Sequence, residues 1–127
     1  MIDALFADSN YTAAKKMLDV TAMRHEAIAS NLANVETPGY KRLDVAPSFE
    51  TQLSQAVASK DVAQINSLQP QLTVDTNAVS GRTDGNTVQL EGEMLKLDQN
   101  TVEHSLETQL IGSALTKIRM AITGKSS

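Results

Sequence analysis

The chain has 127 residues and a mass of 13.7 kDa, the size of one ordinary domain. Its net charge of -4, from 11 basic and 15 acidic side chains, argues against a nucleic-acid binder, because phosphate neutralisation needs clustered lysine and arginine. The absence of cysteine excludes disulfides, thiolate catalysis and thiolate metal sites. With 3% aromatic residues, the core must be built mainly from aliphatic side chains.

A first helix is predicted over residues 10–35, a segment without glycine or proline. Its apolar residues recur three or four positions apart, which is the spacing of one helix face close to a seven-residue repeat. We expect Leu18, Ile28 and Leu32 to lie on the packing seam of this helix.

Residues 36–87 are predicted to form a turn and a loose middle segment, because proline and glycine interrupt every pattern there. A short helix is expected over residues 48–57 and an extended stretch over residues 71–75. Residues 77–86 have the composition of a loop. We expect most of this segment to be irregular.

A second helix is predicted over residues 88–123, where the apolar spacing continues for more than four repeats. A run of that length is typical of a coiled-coil seam. The seam residues are Met94, Leu97, Ile111, Leu115 and Ile118, and a second apolar face is formed by Val102, Leu106, Leu110 and Met120.

These patterns predict a mainly α fold, with one structural unit spanning residues 1–127. We expect the N- and C-terminal helices to pair as an antiparallel coiled-coil hairpin with an irregular, partly extended middle segment. Two helices give each other one seam, so the second apolar face would stay exposed. We therefore expect neighbouring copies or related chains to cover it.

Few residues suggest chemistry. His25 and His104 fall on the two predicted seams and, with Glu26 or Glu107, could hold a metal ion. Neither helix carries a third ligand at metal-site spacing, so polar interruptions that define the helix register are the favoured interpretation.

The acidic residues at the start of the second helix have a structural explanation. Glu91 and Glu93, with Asp98, do not share a helix face as an acid–base pair would require, and we predict first-turn acids on a solvated surface. Residues 84–86 lack the ligand spacing of a calcium loop and are predicted to form a tight turn. No catalytic constellation or cofactor site is predicted.

The most specific string is N-L-A-N-V-E-T-P-G-Y, residues 31–40. Its amides stand near a helix end where free carbonyls need donors, and its Pro-Gly pair fits the centre of a type II turn. The string resembles the N-terminal signature of bacterial flagellar rod, hook and hook-filament axial proteins. We expect it to form an assembly motif, whose residues are Asn31, Leu32, Ala33, Asn34, Thr37, Pro38, Gly39 and Tyr40.

A second block, residues 84–88 followed by the long helix, resembles the C-terminal half of the proximal rod subunits of this family. The resemblance implies a structural subunit, not an enzyme, that assembles helically into the basal-body rod. It would help to form the drive shaft around the export channel and transmit torque.

The resemblance also implies a location and partners. Such proteins pass through the flagellar type III export apparatus without a cleaved signal peptide, and the rod lies in the periplasmic space. The first residues here lack the charged and apolar regions of a secretory signal, and no apolar run is long enough for a membrane helix. The implied partners are copies of the chain, other rod proteins and the inner-membrane ring or adaptor proteins, without nucleic acid, cofactor or direct membrane insertion.

An alternative of a different class is a soluble export chaperone or regulatory module that binds a partner helix in its groove. A chaperone should be folded and of defined small stoichiometry when purified alone, whereas a rod subunit should be partly unfolded and prone to polymerise at high concentration.

Overall fold

The computed structural model describes residues 9–124, which form four helices and two short strands. In chain order these elements are α1 Ser9–Ala33, β1 Leu43–Val45, α2 Ser48–Ala58, α3 Val62–Ser67, β2 Leu72–Val74 and α4 Leu90–Thr123. The predicted mainly helical fold, with a long helix near each end of the chain, is confirmed. At 34 residues, α4 is about 50 Å long.

The long helices α1 and α4 make the most extensive contact between elements. Hydrogen bonds join Asn31 to Glu93 and Thr21 to both Asn100 and Glu107. The helices therefore lie along each other over several turns, with polar groups inside their contact.

The apolar core lies where the middle segment packs on one face of α1. Five of the six residues in the core cluster belong to the middle segment, and Val20 of α1 is the sixth. The five are Val45, Phe49, Leu53, Ala56 and Ile65. Phe49 is 2% exposed and is the largest fully buried side chain, so one of the few aromatic residues lies at the centre of the fold.

The elements of the middle segment were predicted in part. Helix α2 confirms the predicted short helix, and β2 lies within the predicted extended stretch. Strand β1 and helix α3 were not predicted, because three or six residues are too short to show a periodic pattern. Asp61 caps α3 by accepting a hydrogen bond from the backbone N–H of Gln64, 3.1 Å away.

Strands β1 and β2 pair antiparallel, with Leu43 opposite Val74 and Val45 opposite Leu72. The backbone N–H of Asp75 donates to the carbonyl of Arg42 just beyond this ladder. The small sheet therefore brings the side chains of Arg42 and Asp75 to the same end of α1.

Helix α4 presents two different surfaces. Glu93, Asn100 and Ile118 are buried, and the partly buried residues Leu97, Glu107, Ile111 and Ala114 lie on the same face between them. Leu95, Val102, Leu106 and Leu110, which we call the outer stripe, are each 56–62% exposed. None of the helices within residues 9–124 is long and apolar enough to cross a bilayer.

Candidate functional site

The assembly motif predicted from the sequence lies at the C-terminal end of α1, with Asn31 at its centre. Asn31 is fully buried, and its side chain holds β1 through both backbone groups of Leu43, at 2.8 and 2.9 Å. The Asn31 amide also donates to Glu93 of α4 at 3.1 Å, and its oxygen accepts from the Tyr40 hydroxyl at 3.2 Å. One side chain thus joins α1, β1 and α4.

The turn after α1 is held by the second sequence block. Gly39 has φ of +75°, a conformation that favours glycine, and its N–H donates to the Asp84 carbonyl at 2.8 Å. The Asn34 amide folds back to the Ser30 carbonyl at 2.8 Å, and Thr37 donates to Asn34 at 3.1 Å. The Asn34 amide therefore bonds a carbonyl at the helix end, as the sequence predicts, whereas the Asn31 amide instead reaches β1 and α4.

Asn86 caps α1 from a distance of about fifty positions along the chain. Its Nδ2 lies 2.9, 3.1 and 2.8 Å from the carbonyl oxygens of Asn34, Val35 and Thr37. Its Oδ1 accepts from the N–H of Val88 at 2.7 Å, directly before α4. This side chain, 1% exposed, connects the end of α1 to the start of α4.

The two sequence blocks therefore form one structural unit, which we call the signature junction: residues 31–40 together with residues 84–88. Thr87 completes it, because its N–H donates to the Tyr40 carbonyl at 3.1 Å and its hydroxyl accepts from the N–H of Arg42 at 2.8 Å. The remaining motif residues differ in solvent exposure: Leu32 is partly buried, and Ala33 and Pro38 are exposed.

A buried ionic cluster lies beside the junction. The Arg42 guanidinium pairs with Glu93 through Nε, and its Nη1 lies 2.7 Å from Asp75 and 3.1 Å from Asp44. Arg42 and Glu93 are 5% and 1% exposed. The prediction that Glu93 lies on a solvated surface is wrong, because this first-turn acid turns inward to meet Arg42 and Asn31.

The ionic states in the cluster follow from these contacts. Burial opposes ionisation of Asp75, but the Arg42 hydrogen bond and charge outweigh it and lower the pKa of Asp75 below its ordinary value. Burial also opposes the Arg42 charge, yet hydrogen bonds to Glu93 and Asp75 raise the pKa of Arg42. Arg42 therefore stays charged at all physiological pH values.

A second polar group lies midway along the α1–α4 contact. The Thr21 hydroxyl lies 3.1 Å from Glu107 and 3.2 Å from His104 Nδ1, and Asn100 donates to the Thr21 carbonyl at 2.8 Å. Burial raises the pKa of Glu107 above its ordinary value, and the Thr21 hydrogen bond offsets only part of that rise.

The two histidines lie on opposite walls of one groove between α1 and α4. Within residues 9–124, no group of three or more histidine, aspartate or glutamate side chains is arranged to hold a metal ion. The contacts of His104 with Thr21 are those of a polar residue in a helix seam.

The predicted seam residues differ in exposure within a single chain. Ile28 and Ile118 are 1% and 6% exposed, whereas Met94 and Leu115 are 53% and 46% exposed. The partly buried members are Leu18, Leu32, Leu97 and Ile111. Met94 and Leu115 therefore have apolar surface available for contacts beyond this chain.

Sequence reasoning missed the ionic cluster and the role of Asn86. Arg42 stands two positions after the end of the motif, but nothing in the neighbouring sequence indicates that Glu93, 51 positions away, is its partner. The signal available was a charged residue beside the apolar residues Leu43 and Val45, since a charge buried with them requires an opposite charge.

We expect Asn86→Ala to lower the free energy of unfolding by about 2–3 kcal/mol, because three carbonyls at the end of α1 and the buried Val88 N–H each lose a hydrogen bond to this side chain. Urea denaturation followed by circular dichroism would measure this change. Asn77→Ala, at an exposed position in the same connecting segment, is the control and should change stability little. Equal effects of the two substitutions would contradict the capping role.

Comparisons with known proteins agree with this geometry. The family model described as flagella basal body rod protein matches residues 21–41, which include the first half of the signature junction. Relatives named flagellar basal body rod protein FlgB match over most of the chain. The protein of Borrelia hermsii is 28% identical over 86% of this chain and 92% of its own length.

Two further relatives with the same name give similar values. The protein of Aquifex aeolicus is 28% identical over 88% of this chain and 91% of its own length. That of Aeromonas hydrophila is 29% identical over 85% of this chain and 88% of its own length. The chain is therefore similar over most of its length to proteins named flagellar basal body rod protein FlgB, and residues 21–41, at the end of which the signature junction begins, match the rod family model.

Proposed function

We propose that this protein is a structural subunit of the bacterial flagellar basal-body rod, in its proximal part, and that it acts by packing against its neighbours. Its similarity to flagellar basal body rod proteins supports a structural protein and not an enzyme. The observation that carries the proposal is the signature junction, in which the segment matched by the rod family model is joined by hydrogen bonds to the start of the long helix α4.

In the proposed subunit, α1 and α4 form an antiparallel coiled-coil hairpin. The supporting contacts run in opposite directions along the two helices: Asn31 meets Glu93, whereas Thr21, ten positions earlier in α1, meets Asn100 and Glu107. The signature junction lies at the closed end of this hairpin, where the middle segment also packs.

Assembly follows from the apolar surface that the hairpin leaves uncovered. The outer stripe and the half-exposed side chains of Met94 and Leu115 lie along most of α4. Burying one large aliphatic side chain contributes about 1.5–3 kcal/mol, so several such residues per subunit can drive association. We infer that copies of the chain and other rod proteins cover this surface in a helical array around the export channel.

Torque transmission requires that one subunit does not deform when its neighbour pushes on it. The buried Arg42–Glu93 pair and the Asn31 and Asn86 hydrogen bonds connect both long helices to the small sheet at one end. We infer that the junction keeps the hairpin rigid under load, so that force applied to α4 reaches α1 and the middle segment.

The remaining parts of the proposal concern location and partners. We place the subunit in the periplasmic rod, exported by the flagellar type III apparatus without a cleaved signal peptide. Its partners would include the inner-membrane ring or adaptor proteins of the basal body. The comparisons give no support to the alternative of an export chaperone or regulatory module.

The proposal is tested by deleting the gene and restoring it with an epitope-tagged copy. We expect the deletion strain to be non-motile, and the tagged chain to co-purify with detergent-extracted basal bodies. Imaging those basal bodies with the chain traced in them should place it in the rod next to the inner-membrane ring. A motile deletion strain, or a tagged chain recovered only in the cytosolic fraction as small complexes, would support the chaperone class instead.

A further inference from the structure

A groove of about 490 Å³ runs between α1 and α4, away from the signature junction. Its α1 wall includes Ala22, His25 and Glu26, and its α4 wall includes Thr101 and His104. All five are exposed, so the groove is accessible from solvent along one flank of the hairpin.

Asn100 lines this groove and is only 3% exposed. Its Nδ2 donates to Thr21, but its Oδ1 has no hydrogen-bond partner among the described residues. A buried acceptor without a donor is unfavourable by about 1–3 kcal/mol. The groove therefore favours a partner that brings a hydrogen-bond donor.

The charges around the groove favour a cationic donor. Residues 91–107 of α4 contain five acidic side chains and one lysine; two of the acids, Glu93 and Glu103, are paired with Arg42 and Arg24, and Glu26 of α1 adds an acid in the groove wall itself. Residues 108–124 contain Lys117 and Arg119 and no acidic side chain. The helix is thus acidic in the half that lines the groove and basic in the other half, so the basic half of one copy complements the groove of another.

Helix geometry distinguishes the two cations. Lys117 is 16 positions from Thr101, which places it about 160° around α4, on the flank opposite the groove. Arg119 is 18 positions from Thr101, which completes about five turns and places it on the same flank as the groove. When identically oriented chains lie side by side, one flank of each meets the opposite flank of the next, and such a head-to-tail contact can repeat without limit.

We propose that this groove is a contact site between copies of the chain, in which Lys117 of a neighbouring copy enters between α1 and α4 and pairs with Glu26. This inference deepens the proposed function and rests on it, because the neighbouring copy is a rod subunit. The contact is heterologous and polar, distinct from apolar burial on the outer stripe. It would determine the axial stagger between adjacent subunits.

A cross-linking experiment tests the site in basal bodies that contain the whole chain. Because the natural chain has no cysteine, Glu26→Cys/Lys117→Cys introduces one defined pair. Lys117 lies about 24 Å along α4 from Thr101 in the same chain, so a short bis-maleimide can join the pair only between copies. We expect a ladder of covalent multimers, with mass spectrometry identifying peptides that contain positions 26 and 117.

The matched control is Glu26→Cys/Arg119→Cys, with the second thiol two residues away on the other flank, and it should stay monomeric. Basal bodies that contain the chain but give no ladder with position 117, or an equal ladder with position 119, would overturn this contact while leaving the rod assignment intact. A product linking position 26 to a different protein would also overturn it. Basal bodies without the chain would instead contradict the proposed function.

Charge reversal provides a second measurement that does not depend on thiols. Glu26→Lys or Lys117→Glu alone should reduce the amount of chain recovered in basal bodies by about threefold to fivefold, as expected for one partly exposed ion pair. The double reversal Glu26→Lys/Lys117→Glu should restore recovery, because the pair is re-formed with exchanged charges. Recovery that stays as low as in the single variants would contradict a direct contact.

Discussion

Arg42→Met should lower the free energy of unfolding by about 3–5 kcal/mol, because it leaves the buried Glu93 carboxylate without its opposite charge. Asn31 would remain as the one neutral donor that the structure shows for Glu93. Asp75 and Asp44 would also lose their pairing, but both are partly exposed and water can solvate them. Urea denaturation of the full chain, followed by circular dichroism at neutral pH, would measure the change.

Two variants show whether the loss comes from a buried charge or merely from a missing arginine. Arg24→Met makes the same replacement in another arginine with three acidic partners, but Glu50 and Glu103 in that group are largely exposed, so we expect a cost of at most about 1 kcal/mol. Arg42→Met/Glu93→Leu removes both buried charges and should recover much of the lost stability. A double variant as unstable as Arg42→Met would contradict the pairing explanation.

Leu106→Asp should abolish rod assembly and swimming while leaving the fold of the chain almost unchanged. Leu106 is 56% exposed in the middle of the outer stripe, so a carboxylate there remains solvated in the free chain. In an assembled rod the same carboxylate would be buried without a partner, which is strongly unfavourable. The free energy of unfolding of the purified chain should change by less than about 1 kcal/mol. The variant should nevertheless be missing from basal bodies.

The control for this experiment is Ser105→Asp, which adds the same charge one residue away on a different face of α4. We expect that variant to assemble and swim. Leu115→Asp extends the test to the half-exposed side of the predicted seam and should also prevent assembly. Normal swimming of the Leu106 variant would mean that no neighbour covers the outer stripe.

The two experiments separate the two kinds of contact in the molecule. The Arg42 variants test how one chain holds its long helices together, and purified protein is sufficient to measure the result. The Leu106 variants test how chains hold each other, so their effect should be seen only in basal bodies. A rod subunit requires both contacts, because neighbouring helices can interlock only when each hairpin keeps its shape.

Much of the local structure follows from the sequence. The helical periodicity predicts α1 and α4, because apolar residues that recur every three or four positions over many turns indicate a helix face that must be buried. The Pro38-Gly39 pair predicts the turn after α1, and Gly39 has the positive φ that this turn requires. Short elements such as β1 and α3 are stabilised by packing on α1. Their few residues cannot show the periodic spacing of apolar side chains from which a strand or helix is predicted.

The sequence by itself determined the elements of this protein: two long amphipathic helices, a Pro-Gly turn after the first, and more apolar helix surface than one hairpin can bury. The tertiary structure alone decided which surfaces meet. It turned Glu93 inward to Arg42, and it brought Asn86 to the end of α1. The physical reason is that the spacing of apolar residues identifies only which face of one helix or strand is buried. The partner of a buried charge or of a free carbonyl depends on which distant segments the fold brings together.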